Sequence, residues 1–239
     1  MAKKYERLGV MIDMSRNAVM NVKALKEYLV LLKKMGYNSV MLYTEDTYEV
    51  EGEPYFGYMR PKYTQDEMKE LDDYAYNLGI EMIPCIQTLG HLSDALKRNY
   101  PYGDFREDET TLLVGHEKTY ELIEKMIKTA SKPFRTSKIH LGLDEAFKLG
   151  QGKYLMENGY RTKSEQKKLH DKDSVTDNHS PDRTAAAQIV KDSRRTGGKD
   201  ILCDKCSKEI HGDYISIIIN KSAAVGITVE SSTEISSGL

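Results

Sequence analysis

Tryptophan is absent from this chain of 239 residues, so no binding site in it can be built on an indole ring. Long apolar runs are missing too. None reaches the roughly 18 residues that a membrane-spanning helix needs, so no membrane partner is expected. Neither sign of charge is in excess: 35 Lys and Arg against 37 Asp and Glu leave a formal charge of −2. A nucleic-acid binder would show a basic surplus, so that class is not expected either. Cysteine is scarce and odd in number, three in all and without framework spacing. That points to a reducing compartment, the cytoplasm, and the opening Met-Ala-Lys-Lys-Tyr-Glu-Arg has no apolar core of a secretory signal. Cys85, inside an apolar run, reads as a small buried hydrophobe.

What is present is a rhythm. Leu8 to Asp13, Ser39 to Thr44, Ile80 to Ile86 and Lys138 to Gly142 are short apolar runs with the character of strands. Between them lie helical periods. Leu25, Tyr28, Leu29, Leu32 and Met35 share one face, and Gly36 stops it. Thr64 with Glu67 is a capping-box signature, followed by Met68, Leu71, Tyr74, Ala75 and Leu78 in register. Tyr120, Ile123, Met126, Ile127 and Ala130 form the third face. Strands alternating with helices predict an α/β fold with a parallel sheet, here about four βα units of a TIM-type barrel over residues 1–160. Residues 161–200 are polar and without period, and read as a linker. Residues 201–239 read as a small β-rich tail, with Tyr214–Ile219 and Ala224–Val229 as candidate partner strands.

Parallel strands deliver their carboxyl ends to one face. The polar residues at those ends are Asp13 and Arg16, Glu45 and Asp46, Gln87 and His91, and Asp144 and Glu145. Adjacent carboxylates after an apolar strand resist burial unless a ligand or a cation gives them work. Strand alternation would send Asp144 and Glu145 in different directions, one to donate a proton and one to hold another substrate atom. Arg16 offers a fork suited to two oxygens at once. Other readings stand beside these. Asp144 and Glu145 could cap a helix, Arg16 could form a surface ion pair, and Glu45 and Asp46 could cap a loop. His91 could bond to backbone, and His140 could be a structural hydrogen-bonder. The tyrosines from Tyr48 to Tyr63 could line a binding subsite or simply pack. Cys203-x-x-Cys206 with His211 is one arm of a possible zinc site; a structural site wants four ligands and the second pair is missing, so no metal is expected.

Several pieces, in order, resemble glycoside hydrolase family 20, the β-N-acetylhexosaminidases. They are Ile12-Asp13-Met14-Ser15-Arg16, Tyr63 to Glu67, Ile83-Pro84 followed by Gly90-His91, and His140-Leu141-Gly142-Leu143-Asp144-Glu145, similar to that family's His-x-Gly-x-Asp-Glu signature. The resemblance covers roughly residues 5 to 160 and has Leu143 where a second glycine is often seen. It implies Glu145 as general acid and later base, and Asp144 as the residue that orients a 2-acetamido group whose carbonyl oxygen attacks the anomeric carbon. It also implies that Arg16 grips hydroxyls of the terminal sugar, with glycans bearing terminal N-acetylhexosamine as partners and no cofactor; His91, Asp46 and His140 are the further candidate substrate contacts. Such a barrel has eight strands in about 250 residues, and only four are found by residue 145. The chain is therefore expected to hold the front half of a barrel, with its activity in doubt. The alternative is a non-catalytic fragment that binds glycans or self-assembles, a homodimer through exposed half-barrel edges included.

Overall fold

The computed structural model describes residues 7–16, 18–98, 100–143, 145–159, 200–202, 218–219 and 227–228. Asp144, most of the polar stretch, and the Cys203, Cys206 and His211 group lie outside the described residues.

Each helix starts and stops where local chemistry directs. Asn21 accepts from the Ala24 amide at 2.9 Å and opens α1 (Val22–Lys34), which buries Leu25, Leu29 and Leu32. Met35, expected on that face, is the C-cap and is exposed, because the chain has already begun to turn away at Gly36. Thr64 and Glu67 complete a reciprocal capping box at the start of α2 (Gln65–Asn77). A single turn, α3 (Ser93–Leu96), precedes α4 (Glu117–Ser131), whose buried face includes Leu122, Ile123, Met126 and Ile127. A short α5 (Lys153–Asn158) follows.

Five strands form one parallel sheet in chain order: β1 (Gly9–Asp13), β2 (Ser39–Thr44), β3 (Glu81–Ile86), β4 (Lys138–His140) and β5 (Asp200–Leu202). Ile12 sits beside Leu42, Leu42 beside Pro84, and Cys85 beside His140. The helices bury their apolar faces against the sheet. This is a partial (β/α) barrel, as expected, with one more parallel strand than expected. At three residues, β5 is too short to show a period, and it lies on the far side of the polar stretch. In the tail, β6 (Ile218–Ile219) and β7 (Ile227–Thr228) pair antiparallel. No helix among the described residues is long and apolar enough to cross a membrane.

The two ends of the sheet differ electrically. At the amino end, Glu81 accepts from Lys138 Nζ and Thr136 Oγ1, both at 2.6 Å, and lies 3.1 Å from Arg7. Burial pushes the Glu81 carboxyl up, but those donors and cations outweigh it and hold it below the usual range. At the carboxyl end, Glu45 and Asp46 go the other way, raised by burial.

Candidate active site

Backbone strain marks the carboxyl face first. Four described non-glycine residues have positive φ: Met59 (62°), His91 (55°), Leu143 (74°) and Glu145 (51°). One follows β2, one β3 and two β4, so all lie in loops at the same end of the sheet. Such conformations cost on the order of 1–3 kcal/mol each and persist where surrounding structure imposes them. Leu143 occupies the left-handed region that favours glycine, which accounts for the glycine often found there in the resembling signature.

Asp13, at the end of β1, accepts from the amides of Ser15 (2.9 Å) and Arg16 (3.1 Å) and from Arg16 Nε (2.7 Å). Burial works against its charge, but these bonds hold the Asp13 carboxyl below its ordinary range. The Arg16 guanidinium lies 5.1 Å from the centre of the Tyr43 ring and is 59% exposed. It is thus fixed on one edge and open to solvent.

After β2, Ser15 Oγ accepts from the Glu45 amide at 2.6 Å, tying the first two strand ends together. The buried Glu45 carboxylate accepts from the Tyr43 hydroxyl at 2.8 Å, and Gln87 Nε2 donates to that hydroxyl at 3.3 Å. His91 bridges two carboxylates: Nδ1 is 3.8 Å from Glu45 Oε1, and Nε2 is 3.2 Å from Glu145 Oε2. Its ring meets the Tyr43 ring edge-on, with centroids 6.4 Å apart. Arg16, His91 and Glu145 therefore lie near one another at the carboxyl end of the sheet. Asp144 precedes Glu145 but lies outside the described residues.

Two expected substrate contacts take other positions. Asp46 is fully buried. Its Oδ1 is 3.2 Å from Arg60 Nε, while Arg60 also reaches Asp94 at 3.5 Å and the Ser15 carbonyl. Asp46 therefore clamps the loop after β2 from inside rather than reaching into the mouth, and Glu45 is the residue that meets His91. Both residues lie in the bend that follows β2, where the backbone turns Glu45 toward His91 and Asp46 toward Arg60. His140 is also buried, and its Nδ1 accepts from the Gly142 amide at 3.2 Å. It shapes the turn that presents Glu145. Sequence reasoning also passed over Tyr43, whose position one residue inside the end of β2 is the only signal that could have found it.

Burial raises the Glu45 carboxyl above its ordinary value, with the Tyr43 bond and the charges of His91 and Arg16 opposing. A carboxyl raised on folding favours the native state most when protonated, and weakens it as pH climbs past the unfolded value near 4.3. Glu45→Gln, which can still accept from Tyr43, is therefore expected to melt above wild type at pH 7.5. The gap should shrink as pH falls toward 4. Thermal scans from pH 4 to 8 check this; a gap independent of pH would refute it.

A half-exposed carboxylate backed by an imidazole, itself backed by a buried carboxylate, is an arrangement for moving a proton at a fixed point. It joins a forked cation at the carboxyl end of parallel βα units, the end where sites of (β/α) barrels lie. Residues 5–202 match the glycosyl hydrolase family 20 catalytic domain, and the chain belongs to that family. Hexosaminidase D of Bos taurus is 29% identical over 132 residues, 54% of this chain and 38% of its own length. Hexosaminidase D of Homo sapiens is 28% identical over 141 residues, 57% of this chain and 29% of its own. The X-ray structure of Flavobacterium johnsoniae chitobiase superposes with a TM-score of 0.66 at 18% identity, over 86% of this chain and 32% of that one. The chain spans less than two fifths of the length of each of these proteins. Among the described residues, no group of three or more His, Cys, Asp or Glu could hold a metal ion.

Proposed function

We propose that the chain carries the acid–base half of a β-N-acetylhexosaminidase-like site, acting on terminal GlcNAc or GalNAc at non-reducing ends. The observation that carries this reading is His91 held between Glu45 and Glu145. In the proposed reaction, Glu145 gives its proton to the glycosidic oxygen as the bond to the anomeric carbon breaks. The substrate's own acetamido carbonyl oxygen attacks that carbon from the other face, and Asp144 orients it. Water then opens the cyclic intermediate, with Glu145 taking back a proton, so the anomeric configuration is retained. His91 Nε2, 3.2 Å from Glu145, steadies that side chain, and Glu45, 3.8 Å from Nδ1, acts on the imidazole through charge rather than a hydrogen bond. Arg16 grips hydroxyls of the terminal sugar through its open edge.

The test compares 4-nitrophenyl N-acetyl-β-glucosaminide with 4-nitrophenyl β-glucoside, which lacks the acetamido group. Release of nitrophenol from the first and none above background from the second is expected. Equal rates on both, or none on either, would defeat the proposal. A second reading, a barrel fragment without turnover, draws on the sheet: β1 and β5 end it among the described residues, and Met11 on β1 is 43% exposed. On that reading further parallel strands, or another copy, would cover those edges.

A further inference from the structure

Tyr43 touches both halves of the proposed site, the cation that grips and the relay that moves a proton. It stands one residue inside the end of β2, beside Asp13 of β1 and Cys85 of β3 in the parallel register. Neighbours in one row of a sheet point to the same side, so the phenol ring joins the Asp13 carboxylate there. The Tyr43 carbonyl accepts from the Met14 amide at 2.9 Å, and the residue is only 7% exposed. A side chain so enclosed has a fixed place from which to hold others.

Its ring and its hydroxyl have different neighbours. The Arg16 guanidinium lies 5.1 Å from the ring centre, while Asp13 Oδ2 accepts from Arg16 Nε at 2.7 Å. A guanidinium held by a carboxylate at Nε and by a ring against its plane keeps its remaining N–H groups for a ligand. The hydroxyl donates to Glu45 Oε1 at 2.8 Å and accepts from Gln87 Nε2 at 3.3 Å. That same Glu45 oxygen lies 3.8 Å from His91 Nδ1, beyond hydrogen-bond reach, so the carboxylate serves the imidazole only while it is charged. Burial pushes the Glu45 carboxyl toward its neutral form, and the neighbouring Asp46 adds to this. The Tyr43 hydroxyl is the foremost group that opposes it, ahead of the charges of His91 and Arg16.

We infer that Tyr43 is a positioning residue with two separable duties: its hydroxyl holds the Glu45 carboxylate beside His91, and its ring backs Arg16 for the sugar. This rests on the activity proposed above and deepens it, because grip and proton transfer then share one support. The phenol itself gives and takes no proton in the reaction; it acts through Glu45 and Arg16.

The test measures kcat and KM for 4-nitrophenyl N-acetyl-β-glucosaminide from pH 4 to 8. Tyr43→Phe keeps the ring and removes the hydroxyl. Its KM should stay that of the parent. The acid limb of its kcat/KM should move up by about one pH unit, roughly the worth of one hydrogen bond to a charge, because Glu45 without that donor takes a proton at higher pH. In a Glu45→Gln background the same change should shift the profile no further. Tyr43→Leu removes the ring as well and should raise KM about twofold to tenfold, the span of one cation–π contact. Should Tyr43→Leu not fold, Tyr43→Met takes its place in the comparison. An acid limb unmoved in Tyr43→Phe would overturn the duty of the hydroxyl, and a KM no higher without the ring than with it would overturn that of the ring. Should wild type hydrolyse nothing, the activity reading fails by itself. Carbon-13 NMR titration of the glutamate carboxyls then judges Tyr43, with Glu45→Gln assigning the signal: a Glu45 inflection raised in Tyr43→Phe upholds its hold on that carboxylate, and an unmoved one overturns it.

Discussion

Replacing Glu145 with glutamine is expected to lower hydrolysis of the nitrophenyl N-acetylglucosaminide by about 10²–10⁴-fold, the usual worth of one positioned proton donor. The fold should not notice. The Glu145 side chain is 52% exposed, its contact in the mouth is His91 at 3.2 Å, and an amide can keep a hydrogen bond there. The backbone carbonyl that holds the following turn, accepting from the Phe147 amide at 2.7 Å, is untouched by the change. The expected result is therefore a split: kcat collapses while the melting temperature and the circular dichroism spectrum stay those of the parent. A variant that hydrolyses the substrate at the parental rate would remove Glu145 from the chemistry. A variant that unfolds would mean the side chain carries structural weight that its exposure denies.

Gly142→Ala should damage stability and activity together. Gly142 has φ of +69°, where a Cβ costs about 1–2 kcal/mol. The added Cβ would also fall 2.0 Å from Gln87 Oε1 and 2.4 Å from its Cδ. Gln87 is buried and donates to the Tyr43 hydroxyl, which in turn donates to Glu45. The Gln87 amide must swing aside within the buried interior, and overpacking of this kind costs about 1–3 kcal/mol more. A loss of roughly 2–5 kcal/mol in urea unfolding is expected. Turnover should fall as well, because a displaced Gln87 releases the phenol that fixes Glu45. Gly115→Ala is the control. Gly115 also has positive φ, +84°, but an added Cβ there meets nothing within 4 Å. It should show the strain alone and leave turnover intact. Equal losses in the two variants would show that the contact with Gln87 does not matter.

These two sites also show what could be read before any coordinates. The three long helices are plain in sequence because their apolar faces recur at a helical period, and α2 also because the Thr64–Glu67 pair acts on amides within three residues. The first four strands were plain because their apolar runs are bounded by helical periods. From their parallel order follows the placing of Arg16, His91 and Glu145 at the carboxyl end of the sheet. What stayed hidden depended on direction. Glu45 and Asp46 are neighbours of one type, and nothing in their order tells which turns toward His91 and which toward Arg60. The tyrosines between Tyr48 and Tyr63 are alike in composition, yet two are buried and two displayed, because the loop's path is set by a clamp from Arg60, outside any period. Strand β5 was missed because three residues carry no pattern.

Among the described residues the sheet follows the chain in succession, each strand lying beside the described strand that precedes it. Every new βα unit can therefore dock on a finished neighbour as synthesis proceeds, without waiting for a distant segment. Arg16, Glu45 and His91 all precede Glu145 in the chain, so the exposed acid is made only after the three strand ends that surround it.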